Sequence, residues 1–307
     1  MSKRLLLEST APFQGLPELV AHNEGLFAAE GLDVEFVPRG ENAPTQADQR
    51  ITSAEGLNPF ASHGSSLERG NAGMFNACEW GNYCRVEHST MGGRQLGRRA
   101  IITYGAIVVP PWSAVYTPQQ LAHKAVGVPY YAGTHYLALL MLEGFLPREA
   151  IATCLAPNAA GRRYRALMDN EVEATTLTEP YITVAEKAGC RIILEAPYHG
   201  TEVATADVDG ETYTAFNRAV REAVRRINAD KRKYLQYFID YHSSDPEVAK
   251  LTADDLRPSR LVVTDPAPIP EEEMRRTYDW MKGWDLLGDV DWRELVDAQR
   301  QSIAHQA

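Results

Sequence analysis

A cysteine and a glutamate stand side by side directly after a short apolar run, Ala72–Phe75. The run predicts a buried strand, and Cys78, Glu79 and Trp80 begin the helix predicted after it. A helix N-terminus lowers the pKa of a thiol, so Cys78 is a candidate nucleophile, although the neighbouring carboxylate opposes this effect. Glu79 is a candidate proton donor, and Trp80 a candidate ligand contact. The alternative is that Cys78 packs as a small hydrophobic residue.

A second candidate site lies between a predicted strand and a predicted helix, at Gly133-Thr134-His135. Free backbone N–H groups and the helix dipole at such a position favour an anionic group. Thr134 can act as both N-cap and ligand contact, or as an N-cap alone. Tyr130 and Tyr131 precede this segment and, with His135, offer aromatic walls and polar tips for a carboxylate or an aromatic ring. His135 is also a candidate proton donor.

Two more side chains could reach a ligand from loops. His63 lies in a long polar stretch, residues 38–70, and a histidine there could donate a proton or orient an oxyanion. Glu179 follows the predicted strand Ala174–Leu177 and could hydrogen-bond an amine or a hydroxyl of a ligand. The alternative is that Glu179 ties down the loop before Pro180.

Charge clusters and short motifs indicate which ligands and cofactors the chain could bind. Arg162, Arg163 and Arg165 form a cationic cluster that could reach an acidic substrate from a helix start. Cys84 and His88 have the spacing of two metal ligands on one helical face, but two ligands do not make a site, so no metal is predicted. No glycine-rich phosphate loop, nucleotide fingerprint or Ser-His-Asp pattern stands out, so no cofactor is predicted either.

Composition limits the class of protein. The 307 residues, 44% hydrophobic and 23% charged, are enough for two globular domains, and no apolar run approaches the roughly 18 residues of a membrane span. A net charge of -10 opposes non-specific attraction to nucleic acid. The four cysteines are spaced too widely for a zinc finger and are predicted to be reduced, with two disulfides as the alternative.

The start of the chain bears on where the protein works. Met1–Arg4 runs directly into Leu5–Leu7, a shorter apolar stretch than the roughly 7–15 residues at the centre of a secretory signal. The sequence therefore predicts a cytoplasmic protein. The alternative is a periplasmic protein whose leader has been removed.

The candidate residues lie within an alternation of strands and helices. From Leu5 to Gly200, strand-like runs alternate with amphipathic segments, which is typical of βαβ units and parallel sheets. One helix is predicted over about residues 15–30. The late strand Leu261–Val263 must return to an earlier sheet. We therefore predict a discontinuous first lobe, residues 1–108 plus 205–307, and a second lobe, residues 109–204.

Three segments resemble one family. Glu24–Phe36, Ala125–Pro129 with the following Gly133-Thr134-His135, and Thr178–Tyr181 are similar in order and spacing to nitrate, taurine and sulfonate binding proteins. That family also contains enzymes of thiamin-pyrimidine synthesis. The resemblance implies a bilobed α/β fold of the type II periplasmic-binding-protein class, with a ligand held between the lobes. This fold carries both transport receptors and enzymes.

Looser resemblances concern enzymes with this fold. Asn76–Glu79 is similar to the strand-end glutamate region of dihydroxyphthalate decarboxylases, and His63 invites comparison with desulfinases. Ser9–Phe13 lacks the nucleophilic cysteine of the desulfinases, so their mechanism does not carry over. Asn76 stands where the thiamin-pyrimidine synthases are expected to have a cofactor-binding lysine, so a pyridoxal or iron requirement is unsupported.

These observations lead to two functional hypotheses. The first is a cytoplasmic lyase, of the decarboxylase or desulfinase type, in which the start of the helix at Thr134 holds an anionic group and Glu79 or His135 delivers a proton. The alternative is the solute-binding component of an ABC importer for a sulfonate, nitrate, taurine or pyrimidine precursor. Both predict a small anionic, possibly aromatic ligand; an ABC permease is a partner only in the second.

Overall fold

Two β-sheets organise the protein, which the computed structural model describes over residues 2–39 and 58–305. Numbered along the chain, the strands are β1 (Lys3–Glu8), β2 (Leu32–Val37), β3 (Met74–Cys78), β4 (Arg94–Arg98), β5 (Ile101–Val109), β6 (Ala125–Val128), β7 (Ala152–Leu155), β8 (Ala174–Leu177), β9 (Arg191–Tyr198), β10 (Gly200–Ala204) and β11 (Val262–Val263). The first sheet has the order β2-β1-β3-β10-β4. The second has the order β11-β5-β8-β6-β7, with β9 also paired to β5.

Each sheet combines parallel and antiparallel pairs. In the first, β1 is parallel to β2 and β3, whereas β10 is antiparallel to β3 and β4. In the second, β6 is parallel to β7 and β8, whereas β5 is antiparallel to β8, β9 and β11. Parallel neighbours need crossover connections, which here contain helices, so the predicted strand and helix alternation is confirmed.

Helices pack against both sheets. They are α1 (Pro12–Asn23), α2 (Leu26–Ala29), α3 (Ser65–Glu68), α4 (Glu79–Glu87), α5 (Gly133–Glu143), α6 (Ala160–Met168), α7 (Tyr181–Lys187), α8 (Gly210–Ala229), α9 (Lys231–Tyr241), α10 (Glu271–Gly283) and α11 (Ala298–His305). The single helix predicted over residues 15–30 is two helices, because Gly25 takes a left-handed φ of 71° between them. Within the described ranges, no helix is long and apolar enough to cross a membrane.

The chain passes between the sheets three times, twice through short connections and once through the helices between β10 and β11. β4 ends at Arg98 in the first sheet and β5 begins at Ile101 in the second; β9 ends at Tyr198 in the second and β10 begins at Gly200 in the first. The late strand returns to an earlier strand as expected, but that strand is β5 of the second sheet, with Val262 opposite Ile102. The lobe boundaries at residues 108 and 204 stay a prediction. Residues 40–57 of the predicted loop lie outside the described residues.

Two carboxyl groups meet in the interior of the first lobe. Glu18 on α1 and Glu202 on β10 are 0% and 1% exposed and lie close enough to affect each other's ionisation; the Oε2 atom of each is buried and has no hydrogen-bond partner among the residues that the structure describes. Asn76 Nδ2 donates to Glu18 Oε1 at 3.1 Å. Burial raises the pKa of both carboxyl groups, and the neighbouring Glu18 raises the pKa of Glu202 further, although the nearby Arg99 opposes this. A shared proton between the two groups accounts for their close approach.

Replacing Glu202 with glutamine tests this pair. Because the folded-state pKa of Glu202 is raised, its contribution to stability is fully present below the unfolded value of 4.5 and is lost as pH rises through the folded value. Glutamine cannot ionise, so the stability advantage of Glu202→Gln over the wild type is expected to increase from about pH 5 to about pH 8. Urea unfolding at several pH values measures this. Glu271→Gln, at an exposed position, is the control; parallel stability curves for wild type and Glu202→Gln would contradict the shared proton.

Candidate functional site

A cleft of about 810 Å³ opens where helices from both sheets begin. Its lining from the first lobe and the segment after β2 is Ala11, Phe13, Gln14, Arg39 and His63. The lining from the second sheet and its helices includes Pro129, Ala132–Thr134, Asn158–Arg163, Arg165, Thr178, Tyr181 and Tyr198. Tyr241, His242, Ser244, Asp245 and Pro246 complete the wall after α9. The cleft therefore takes residues from segments distant in sequence.

Three helices begin at the cleft, and each has an alanine as its N-cap. Ala11, Ala132 and Ala159 have extended backbones at the starts of α1, α5 and α6, and their side chains have no oxygen to accept from the first-turn N–H groups. By contrast, Asp209 and Asp230 cap α8 and α9, accepting N–H groups of the first turn. A ligand oxygen in the cleft can therefore act as the hydrogen-bond acceptor that the alanine side chains lack.

Arg163 brings a buried positive charge to the wall of the cleft. It lies in α6, is 3% exposed, and donates from Nε to the Thr176 carbonyl at 2.7 Å and from Nη1 to the carbonyls of Pro157 and Asn158. Burial lowers the pKa of the guanidinium to about 10, which leaves it charged at neutral pH. Carbonyl oxygens hold the group in place without neutralising it. An anion in the cleft would neutralise it.

Other charges give the cleft a positive balance. Among the described residues, its lining contains four arginines, Arg39, Arg162, Arg163 and Arg165, and one carboxylate, that of Asp245. That carboxylate is engaged: its Oδ2 accepts from Arg165 Nη1 and from Tyr181 OH, both at 2.9 Å. Arg39 Nε donates to the Ser9 carbonyl at 2.8 Å, which fixes the guanidinium beside the start of α1. The cleft is thus electrostatically suited to an anionic ligand although the chain carries a net charge of -10.

Aromatic rings pack closely on two of these helix starts. A Cβ added at Gly133 would lie 2.6 Å from the Tyr198 ring, and one at Gly161 would lie 2.6 Å from Tyr181 OH. Glycine is therefore required sterically at both positions. Phe13 and Tyr241 also line the cleft, so an anionic group at the helix starts would have aromatic surface beside it for the rest of the ligand.

His63 lies at the cleft as a neutral imidazole. Burial and the charges of Arg39, Arg85 and Arg99 hold its pKa well below 6.5. Gln14 Nε2 is 3.3 Å from His63 Nε2, and an amide donor there places the histidine proton on Nδ1. That Nδ1 is buried and meets no hydrogen-bond partner in the part of the chain that the structure describes. A neutral His63 can orient a ligand oxygen. It lacks the second ring proton, which an imidazolium would have available to donate.

Of the residues predicted from the sequence, the cleft brings together His63, Gly133 and Thr134 with the arginine cluster Arg162, Arg163 and Arg165. Thr134 is not the N-cap that the sequence predicted. Helix α5 begins at Gly133, so Ala132 is the N-cap and Thr134 lies inside the first turn. The Thr134 backbone N–H remains in the position from which a helix start binds an anion.

Cys78, Glu79 and Trp80 lie away from the cleft, packed among side chains of the interior. Cys78 Sγ accepts from Gly81 N at 3.3 Å and so caps α4; burial raises the pKa of the thiol, contrary to the effect expected of a helix start. Glu79 accepts from Tyr83 OH at 3.1 Å, and burial raises its pKa. The Trp80 ring packs 5.6 Å from the ring of Tyr198. These contacts give all three residues structural roles.

The remaining predicted residues are also outside the cleft. Tyr130, Tyr131 and His135 line a different cavity, described below. Burial lowers the pKa of His135 to about 3, so it is neutral at physiological pH. Glu179 pairs with Arg260 at 3.0 Å and accepts from Thr183, which ties it to α7.

Metal-binding side chains do not cluster. Over residues 2–39 and 58–305, no three His, Cys, Asp or Glu side chains are arranged to hold a metal ion. His88 Nδ1 lies 2.8 Å from the Cys84 carbonyl rather than facing the Cys84 thiol, which donates to the Leu286 carbonyl. The side chains of Cys84 and His88 therefore contact main-chain carbonyls, that of Leu286 and that of Cys84, respectively.

Several cleft residues gave no distinct signal in the sequence. Gln14, Arg39, Tyr198, Tyr241 and Asp245 lie in four separate segments of the chain. The alanines at the three N-caps were visible in the sequence. Missing capping oxygens before three amphipathic helices could have indicated that an external acceptor completes them.

The sequence matches no protein-family profile and no curated protein sequence. Solved structures nevertheless share its fold. The alkanesulfonate-binding protein SsuA from Xanthomonas axonopodis pv. citri, bound to MOPS, gives a TM-score of 0.68 at 14% identity, over 96% of this chain and 98% of that chain. The ligand-binding component of an ABC-type import system from Staphylococcus aureus, with zinc bound, gives 0.72 at 12% identity over 100% of both chains. The desulfurization enzyme DSZB gives 0.59 at 12% identity over 99% of both.

These similarities confirm the fold that the three sequence segments implied. The protein is a bilobed α/β protein of the periplasmic-binding-protein class, with the same fold as sulfonate-binding proteins. At such low identity the similarity concerns the fold alone, so the ligand has to be argued from the cleft.

Proposed function

We propose that the protein is a solute-binding protein that closes on a small organic anion, as the binding component of an ABC importer. The observation that carries this proposal is Arg163, a buried cation at the cleft whose hydrogen bonds, within the part of the chain that the structure describes, go to main-chain carbonyls. The three helix starts without side-chain caps supply further donors for the oxygens of the same anion. In this role the partner is an ABC permease, and the protein works outside the cytoplasm.

The ligand class follows from the geometry of the cleft. A sulfonate or carboxylate has the several oxygens needed to accept from more than one helix start. Phe13, Tyr181, Tyr198 and Tyr241 provide apolar and aromatic surface around that group, which suits a compact alkyl or aryl body. A volume of about 810 Å³ is within the usual range for small-molecule sites.

The lyase hypothesis has less support. Its proposed proton donors, Glu79 and His135, lie outside the cleft, as does the thiol of Cys78. His63 does line the cleft, but as a neutral imidazole. A receptor needs donors, a buried charge and lobes that close on the ligand, and the cleft supplies the donors and the buried charge.

A ligand panel tests the proposal. Butanesulfonate, benzenesulfonate, taurine, benzoate and phthalate are compared with uncharged butanol and benzyl alcohol, first by thermal unfolding and then by calorimetry. At least one anion is expected to bind with a one-to-one ratio and to stabilise the protein by about 2.7 kcal/mol at 100 times its Kd. The alcohols are expected to have no effect.

Two outcomes would contradict the proposal. One is that no anion of the panel raises the unfolding temperature at about 10 mM, a concentration that saturates even weak receptors. The other is that a bound anion is converted, which mass spectrometry of the incubated mixture would reveal and which would favour the lyase hypothesis.

A further inference from the structure

A second cavity, of about 750 Å³, lies on the opposite side of the turn that connects β6 to α5. Pro129 and Ala132–Thr134 of this segment face the cleft, whereas Tyr130, Tyr131 and His135 face the second cavity. The rest of its lining is Pro59, Cys84, Glu87, His88, Leu139, Ile151, Thr153 and Trp284–Gly288. The described linings of the two cavities share no residue, so this cavity is distinct from the proposed anion site.

Aromatic rings form much of the second cavity, and the backbone holds one of them in place. Tyr130, Tyr131 and Trp284 all line it. Tyr131 has a left-handed φ of 61°, an uncommon conformation for a tyrosine, and its carbonyl accepts from Arg85 Nη2 at 3.0 Å. The Arg85 side chain is 1% exposed, so the ring of Tyr131 is positioned by a buried anchor.

His135 adds an unsatisfied polar group to this lining. It is 6% exposed, its ring lies 4.7 Å from the Tyr130 ring, and its Nδ1 is buried with no hydrogen-bond partner among the residues that the structure describes. Burial lowers its pKa to about 3, so the ring is neutral and can accept a hydrogen bond on one nitrogen. A buried polar atom without a partner is uncommon in a folded protein, and a bound molecule would account for it.

The charge of the second cavity is opposite to that of the cleft. Glu87 and Asp285 contribute two carboxylates, and neither lysine nor arginine appears in the described lining. Glu87 Oε2 accepts from Gly288 N at 3.0 Å, a bond between two residues of the cavity lining that fixes this carboxylate. Asp285 is exposed, with a left-handed φ of 52°.

We propose that the second cavity binds an organic cation, an amine carried on a compact aromatic body. The tyrosine rings would attract the cation through their π faces, whereas Trp284, over whose ring the Arg148 guanidinium already lies at 4.7 Å, would pack against the body of the ligand. Glu87 and Asp285 supply the opposite charge, and His135 accepts a hydrogen bond from an ammonium N–H group. A neutral ligand would leave the carboxylates unused, and an anion would be repelled by them.

Calorimetry with 2-phenylethylamine tests this site, with 2-phenylethanol and 3-phenylpropionate as probes of the same ring without the cation. The amine is expected to bind one-to-one, at least about tenfold more tightly than either of the others. Asp285→Asn keeps a residue that tolerates a left-handed backbone and removes the charge. Combined with Glu87→Gln, it is expected to weaken amine binding about tenfold.

The matched control is Asp289→Asn. Asp289 is four residues further on, fully exposed and outside the cavity, so its replacement makes the same charge change as Asp285→Asn and is expected to alter amine affinity less than about twofold. Three outcomes would overturn the proposal: no saturable binding of the amine by the wild type, equal affinity for the amine and the alcohol, or equal weakening by Asp285→Asn and Asp289→Asn. The wild-type comparison of amine with alcohol decides the matter even if the double variant fails to fold.

Discussion

Arg163→Gln is expected to weaken anion binding in the cleft by about 10- to 100-fold, because it removes a charge-assisted hydrogen bond worth about 1.5–3 kcal/mol. Arg163 is 3% exposed, so water screens its charge little. The anion that binds best in the panel is the probe, and its Kd is measured by calorimetry. The substitution is expected to raise the Kd of the anion and to leave the number of anions bound per protein unchanged.

Arg165→Gln is the matched control, on the same helix. Arg165 also lines the cleft, but its side chain is 51% exposed and its charge is already paired with Asp245 at 2.9 Å. Its loss is therefore expected to change affinity less than about threefold. If both variants weakened binding equally, only the overall charge of the cleft would matter and the specific role of Arg163 would be wrong.

Arg163 also holds the loop before α6, so its replacement could act through the fold. Arg163→Lys addresses this, because lysine keeps the charge but cannot donate to all three carbonyls that the guanidinium reaches. Lysine is expected to give an affinity between those of wild type and Arg163→Gln, with both variants showing a cooperative unfolding transition. A folded Arg163→Gln protein with wild-type affinity would contradict the assignment.

The sequence predicted the fold well because the relevant signals are local. Alternation of apolar runs with amphipathic segments predicted the βαβ units, and the segment after β6 predicted a helix start with exposed N–H groups. The cationic cluster after residue 161 was also visible, although the sequence could not tell that Arg163 points inward while Arg165 is half-exposed. That difference depends on where α6 packs against β8, which only the tertiary structure fixes.

The prediction for Cys78 and Glu79 shows where a local rule is insufficient. Residues after a β-strand often face the ligand in this fold, but the end of β3 is covered by its antiparallel neighbour β10. Gly200 pairs with Cys78, and Glu79 N donates to the His199 carbonyl at 3.2 Å. Strand β10 lies about 120 residues after β3 in the chain, so its pairing with β3 cannot be predicted from the residues around position 78.

The segment 129–135 shows a second limit. The sequence correctly placed it at a helix start beside a cavity, but a turn has two sides. Gly133 and Thr134 face the cleft, whereas Tyr130, Tyr131 and His135 face the second cavity. Only the packing of α4 and of residues 284–288 against this turn creates the second cavity.

Glu179 followed a strand and was predicted to reach a ligand or to tie down its loop; the structure supplies a partner 81 residues away, Arg260. The Arg260 side chain is 3% exposed and contacts three carboxylates: Glu179 at 3.0 Å, Glu186 at 2.9 Å and Glu195 at 2.6 Å. It links the segment before β11 to α7 and β9. Arg260 therefore holds together three acidic side chains that would otherwise repel one another.

Arg260→Met is expected to destabilise the protein by about 3–5 kcal/mol at neutral pH, because it leaves the buried Glu179 carboxylate without its counter-charge. Urea unfolding measures the change. Arg257→Gln is the control from the same segment: its side chain is 58% exposed and pairs with Glu186 at 2.6 Å, so a cost below about 1 kcal/mol is expected. Equal stabilities of the two variants would contradict the proposed role of Arg260.

The pH dependence identifies the carboxylate responsible. Burial already raises the pKa of Glu179 in the folded protein although Arg260 lowers it, and without Arg260 the folded-state pKa must rise further. A raised folded-state pKa makes stability greatest below the unfolded value of 4.5 and progressively lower as pH increases. The deficit of Arg260→Met should therefore shrink towards about pH 4.5 and grow towards neutrality. Adding Glu179→Gln should remove most of that slope, since glutamine needs no counter-charge; if the slope persisted, Glu186 or Glu195 rather than Glu179 would be the buried charge that Arg260 neutralises.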